Sequence, residues 1–66
     1  MNKELIAIRL KSLREDKNRE DVAADLKISL SALQMYENGQ RIPRDEIKIR
    51  IAKYYGLTVQ EIFFNM

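Results

Sequence analysis

Between Asn18 and Pro43 the chain sets out, in close order, a helix-capping side chain, a short apolar run, a second cap at Ser29, another short apolar run and the stop Asn38-Gly39. No other stretch restricts the fold as much, because it leaves room only for two short helices joined by a tight turn. Asn18 offers a side-chain oxygen to the free backbone donors of a helix start, and Asp21 three residues on completes a weak capping box. Val22, Ala23 and Leu26 then fall on one inward face. Ala23 is small in the middle of that face, so the next helix can approach closely, and Ile28 is placed to plug the angle between the two. Ser29 caps the segment Leu30 to Glu37, whose inward residues are Leu33 and Tyr36; Leu30, Ser31, Gln34 and Met35 are left facing outward. Asn38 and Gly39 both tolerate the left-handed conformation that a helix stop requires.

The rest of the chain also reads as helix. From Lys3 to Asp16, Ile6, Leu10 and Leu13 recur at four- and three-residue spacings, flanked by Leu5 and Ile8. Past Pro43, Asp45 is the expected cap of a fourth helix in which Ile47, Ile51, Tyr54 and Tyr55 form a stripe with Ile49 beside it, ending at Gly56. Thr58 caps a last short helix with Val59, Ile62 and Phe63 facing in, which leaves Phe64 and Met66 as extra apolar groups. The expectation is an all-α, compact five-helix fold, one domain over residues 1–66.

A chain of 66 residues buries only roughly 60% of the surface its unfolded form exposes, so the core is thin and each apolar group must be well placed. Without cysteine there is no disulfide, and without cysteine or histidine no zinc site is expected, so helix packing has to supply the stability. An enzyme is not expected: no glycine-rich loop is present, and Glu15-Asp16 and Asp45-Glu46 are explained as helix-end charges. No cofactor is expected, and no small-molecule ligand either, since a pocket would consume much of the core. No apolar run is long enough to span a membrane and no leader pattern is visible, which gives a cytoplasmic expectation. The net charge of +2 is unevenly spread. Residues 1–26 carry six basic and six acidic groups, whereas residues 27–53 carry six basic against three acidic.

Val22-Ala23, Leu26, Ile28-Ser29, Leu33, Tyr36-Glu37-Asn38-Gly39, Pro43, Ile51-Ala52-Lys53 and Glu61-Ile62-Phe63 together resemble the helix-turn-helix regulators of the lambda/434 repressor and Cro type, the XRE family. The likeness runs from about Ile6 to Phe63 and implies a lambda-repressor-like fold with helices two and three as the helix-turn-helix. Two departures stand out. The family's glycine in the turn between those helices is Lys27 here, which implies a positive φ at a non-glycine residue, and the connection between helices one and two is about two residues shorter. The resemblance also implies a contact between an arginine late in helix one and Glu37; Arg14 holds that place, and the shorter connection leaves open whether it reaches.

The same resemblance implies binding of double-stranded DNA through helix three in the major groove, where base edges display a distinct pattern of donors, acceptors and methyl groups. Base readout then falls to Leu30, Ser31, Gln34 and Met35. Gln34 has the two-pronged head that pairs with adenine, Ser31 suits a base or a phosphate, and Leu30 and Met35 suit thymine methyl groups. Each has a plainer reading, as semi-buried packing for the apolar pair and as a solvated face for Gln34. Phosphate contacts are assigned to Arg19 at the start of helix two, to Ser29, and to Asn38, Arg41 and Arg44. One domain reads too few base pairs for a genome, so a homodimer on an inverted repeat is expected, with Tyr54, Tyr55, Phe63, Phe64 and Met66 as its surface or, equally, as the end of the core. The leading expectation is a transcriptional repressor. The alternative is a protein-interaction module on the same fold, an antitoxin or an antagonist of another regulator, which the apolar Leu30 and Met35 keep open.

Overall fold

The computed structural model describes residues 2–64, which form α1 (Lys3–Arg14), α2 (Arg19–Leu26), α3 (Leu30–Glu37), α4 (Asp45–Tyr55) and a single π-helical turn, α5 (Gln60–Phe64). The family-like all-α expectation holds, with the fifth element wound wider than an ordinary helix. Side-chain caps start four of the five. Asn2 accepts from Leu5 N at 3.1 Å, Asn18 from Glu20 N at 2.7 Å and Asp21 N at 3.4 Å, and Ser29 from Ala32 N at 3.0 Å. At α5 the exchange is mutual: Glu61 Oε1 accepts from Thr58 N at 2.9 Å while Thr58 Oγ1 accepts from Glu61 N at 3.1 Å. These bonds satisfy donors that the first turn of a helix leaves without partners, each at about 1 kcal/mol. The exposed Glu61 carboxyl is held below its ordinary value, first by the Thr58 backbone N–H and then by the Thr58 hydroxyl.

The helix ends repeat one device. After α2, α3 and α4 the chain turns left-handed at Lys27 (φ 59°), Gly39 (φ 73°) and Gly56 (φ 69°), and the next residue's N–H returns to a carbonyl one turn back: Ile28 to Ala23, Gln40 to Met35 and Leu57 to Ala52, each at 3.0 Å. Lys27 therefore adopts the positive φ expected of it. Asn38 does not take the left-handed role that its type permits; at φ −97° it is the last residue before Gly39 turns. Helix one stops at Arg14 rather than Asp16, because Glu15 sits at φ 52°, ψ −121° and opens a tight turn closed by Lys17 N on Arg14 O at 3.0 Å. That conformation belongs to glycine, and a glutamate there stores strain. Asp45 is the first residue of α4, not its cap; Arg44 holds the cap position and makes no side-chain cap bond.

Ile6, Leu10, Val22, Ala23, Leu26, Leu33, Tyr36, Ile47, Ile51, Ala52, Ile62 and Phe63 close on one another to form the core, with Leu13, Ile28 and Val59 half-buried against it. Burial of a side chain the size of Ile51 or Phe63 contributes about 1.5–3 kcal/mol, so a core of a dozen residues has little to spare. The inward stripe of α1 is narrower than expected: Ile6, Ala7 and Leu10 are buried, but Ile8 is 61% exposed. Tyr54 and Tyr55 lie half-buried at the edge of the core, their rings edge-to-face at 5.0 Å, and Phe63 is wholly inside it.

Arginines reinforce this thin core by reaching between elements. Arg9 on α1 donates to Glu61 O and Ile62 O of α5 at 3.1 and 3.0 Å. Arg50 on α4 donates to Leu26 O and Lys27 O at the end of α2, at 3.0 and 3.3 Å, and pairs with Glu46 at 2.6 Å. Both place a cation where free carbonyls and the helix dipole favour one.

Candidate nucleic-acid interface

At about 3.6 residues per turn, Leu30, Ser31, Gln34 and Met35 fall within one sector of α3. That sector is partly open to solvent. Leu30 and Met35 are each 37% exposed, Ser31 is exposed, and Gln34 is half-buried. Leu33 and Tyr36 anchor the opposite side, and α1 and α2 both pack against this helix, so α3 is presented by a rigid support.

One edge of α3 is set by Glu37, which is fully buried and unique among the described acidic residues in being so. Its two oxygens are taken separately: Arg14 Nε donates to Oε2 at 2.8 Å and Arg19 Nε to Oε1 at 2.9 Å. Arg14 also donates to Lys17 O at 2.8 Å, so one guanidinium holds α1, the short turn and the end of α3 together. The bond to Glu37 pushes the Arg14 guanidinium above its ordinary value. Tyr55, partly buried beside this cluster, has its hydroxyl pushed up to about 12, first by burial and then by the negative charge of Glu37. The Arg14 contact, left open by the sequence, is made. The Arg19 contact was not foreseen; the available signal was an acid at the inward end of α3 that one cation alone leaves half-satisfied.

The other edge runs past Ala32 and Tyr36 into a cleft of about 400 Å³ between α3, the loop to α4, and α4 itself. Its apolar wall includes Ile28, Ile42 and Ile47, and its cations are Lys27, Arg41, Arg44 and Arg50. No carboxylate lines it. Arg41 and Arg44 are exposed and, alone among the arginines of the described residues, form no side-chain hydrogen bond or ion pair. Of the other positions assigned to phosphate, Asn38 is exposed beyond α3, Ser29 is exposed with its hydroxyl on Ala32 N, and Arg19 keeps 35% of its side chain exposed beyond its bond to Glu37. The structure thus gathers the assigned residues around α3, along its outer sector, at both ends and on both edges.

A family model described as helix-turn-helix matches residues 10–62, nearly the whole of this framework. The chain belongs to the helix-turn-helix family. Within it the match is to the XRE, or Cro and C1, type, and double-stranded DNA is the partner this membership supports. In this helix-turn-helix protein the motif is α2, the turn at Lys27 and Ile28, and α3. No curated protein and no solved structure matches the chain. Among the described residues, no group of three or more acidic, histidine or cysteine side chains is placed to hold a metal, and no helix is long and apolar enough to cross a membrane.

Proposed function

We propose that this helix-turn-helix protein is a sequence-specific transcriptional repressor that acts as a single domain over residues 1–66 and lays α3 in the major groove. The solvent-facing outer sector of α3, bounded by cations on both edges, carries the reading. A helix seated in a groove about 12 Å wide has a phosphodiester strand on either side of it, and cations on both edges match that arrangement. Gln34 pairs with an adenine edge, Ser31 with a base or a phosphate, and Leu30 and Met35 pack on thymine methyl groups; Arg19, Ser29, Asn38, Arg41 and Arg44 hold the backbone. Occupying a promoter is enough for repression, whereas activation requires a further contact with polymerase.

Two copies on an inverted repeat extend the site to a useful length. Of the dimer surface expected from sequence, Phe63 is removed by its full burial, Tyr54 and Tyr55 are half-buried, and Met66 lies outside the described residues. Phe64, 55% exposed, with Lys48 Nζ at 5.2 Å from its ring centroid, is the remaining anchor. Selection of bound duplexes from a random pool at physiological salt tests the proposal. An inverted repeat with half-sites about one helical turn apart is expected, and binding without sequence preference counts against it.

The second reading, a protein-interaction module, is favoured by one observation: two of the outward side chains of α3, Leu30 and Met35, are exposed and apolar. Charge reversal at Arg41 separates the two, since Arg41 has no internal partner to disturb. Loss of duplex binding supports the repressor; unchanged duplex binding with loss of a protein partner supports the module. Arg19 is unsuited to that test, because a carboxylate there would face the buried Glu37.

A further inference from the structure

We infer that Lys27 is a phosphate contact, and that the chain holds a lysine at the turn between α2 and α3 for its charge, at a cost in stability. The inference rests on the DNA-binding reading and extends it to a residue outside the sites assigned so far. Three helices end with the same left-handed turn; two use glycine and the third uses Lys27 at φ 59°, ψ 43°. Glycine adopts this conformation freely, whereas a side chain with a Cβ is strained in it, and asparagine is the usual compromise. Packing gives no reason for a lysine. Its side chain is exposed and forms no hydrogen bond or ion pair among the described residues.

Its position does give a reason. Lys27 lines the cleft that also holds Arg41, Arg44 and Arg50, and no carboxylate lines that cleft. Arg50 is already engaged by Leu26 O, Lys27 O and Glu46, which leaves three cations unneutralised around one opening. Asp25 borders a neighbouring cleft with Lys27, but its carboxylate accepts the Tyr54 hydroxyl at 2.8 Å. Cations gathered without counter-ions repel one another and are retained where a polyanion neutralises them. The cleft follows the edge of α3 away from Glu37, along which one phosphodiester strand must run if α3 occupies the groove. Lys27 then adds a third cation to that strand, beside Arg41 and Arg44, and displaces a counter-ion there.

The test compares the unchanged protein with Lys27→Gly, Lys27→Asn, Lys27→Arg and Arg41→Ala by fluorescence anisotropy on a selected duplex and on a random one, across a salt series, with melting temperatures in parallel. Lys27→Gly is expected to melt roughly 2–8 °C higher, because strain is relieved. It is also expected to bind both duplexes about fivefold more weakly at roughly 150 mM salt, with a slope of log affinity against log salt shallower by about 0.9. Lys27→Asn should match it in binding, and Lys27→Arg should keep the original slope. A Lys27→Gly slope equal to that of the unchanged protein, while Arg41→Ala lowers the slope, overturns the inference and leaves the DNA reading standing. Failure of the unchanged protein to bind any duplex overturns both.

Discussion

On one edge of α3, Arg14 and Arg19 close on a single buried carboxylate at 2.8 and 2.9 Å; on the other, Lys27, Arg41 and Arg44 face a cleft lined by no carboxylate at all. Both edges carry cations and the consequences differ. On the Glu37 edge the cations hold α1, α2 and α3 in place, and the one carboxylate they share balances half of their charge inside the protein. On the cleft edge nothing internal takes up the charge, and it remains available to a polyanion. The difference teaches that a count of basic residues near a helix-turn-helix motif says little about binding until each cation's internal partner is known. It also ranks the positions proposed for phosphate: Arg41 and Arg44 have no internal partner, whereas Arg19 has only the part of its guanidinium that Glu37 leaves over.

Substitution at Glu37 offers the sharpest way to break the comparison. Glu37→Gln leaves two partly buried guanidinium groups without their carboxylate and is expected to destabilise the fold by about 3 kcal/mol, read from the urea midpoint. A cost under about 0.5 kcal/mol would mean that the edge is not structural. The complementary change, Arg41→Ala, is expected to alter stability by less than about 0.5 kcal/mol while weakening duplex binding by roughly 1 kcal/mol and reducing the salt slope by about 0.9. If it unfolds the protein instead, the two edges are not different in kind.

Two smaller effects sharpen the account of the Glu37 edge. Glu15→Gly removes a side chain from a conformation that suits glycine, in the turn Arg14 clamps through Lys17 O, and should stabilise by about 1 kcal/mol in the same urea experiment. No gain would show that the turn is unstrained. Tyr55 tests the electrostatics. Its folded-state hydroxyl is raised from 10.0 to about 12, so the stability tied to its neutral form is complete below pH 10 and is lost as pH rises from there through about 12. Tyr55→Phe should therefore flatten the fall in stability across that window, followed by circular dichroism; an unchanged profile would place the alkaline transition elsewhere.

Much of the framework was legible because it depends on local chemistry. Asn18, Ser29 and Thr58 cap the helices expected of them, and the inward residues of α2 and α3 are Val22, Ala23, Leu26, Leu33 and Tyr36 as their spacing predicts. The errors lie where local signals are weak or tie. Asp45 and Arg44 compete for the start of α4, and the backbone places the cap one residue earlier than side-chain preference suggests. Nothing in the residue type of Glu15 announces a positive φ; the four-residue connection to α2 imposes it. Ile8 stands about 200° round the helix from Ile6 and Leu5 about 100°, outside the inward stripe, and α3 and α5 cover only the Ile6, Ala7 and Leu10 side of α1. The outward positions Leu30, Ser31, Gln34 and Met35 follow from periodicity, and how far each is exposed depended on the arrangement of the other helices.

The amino-acid order alone settled which stretches are helical, which side of α2 and of α3 is apolar and that these two helices and the turn between them form one motif, since caps, turns and periodicity act over a few residues. Tertiary structure decided the fate of the charges. Whether an arginine meets a carboxylate eighteen or twenty-three positions away depends on distances of a few ångströms between helices, and those distances separate the arginines paired inside this fold from those left without an internal partner.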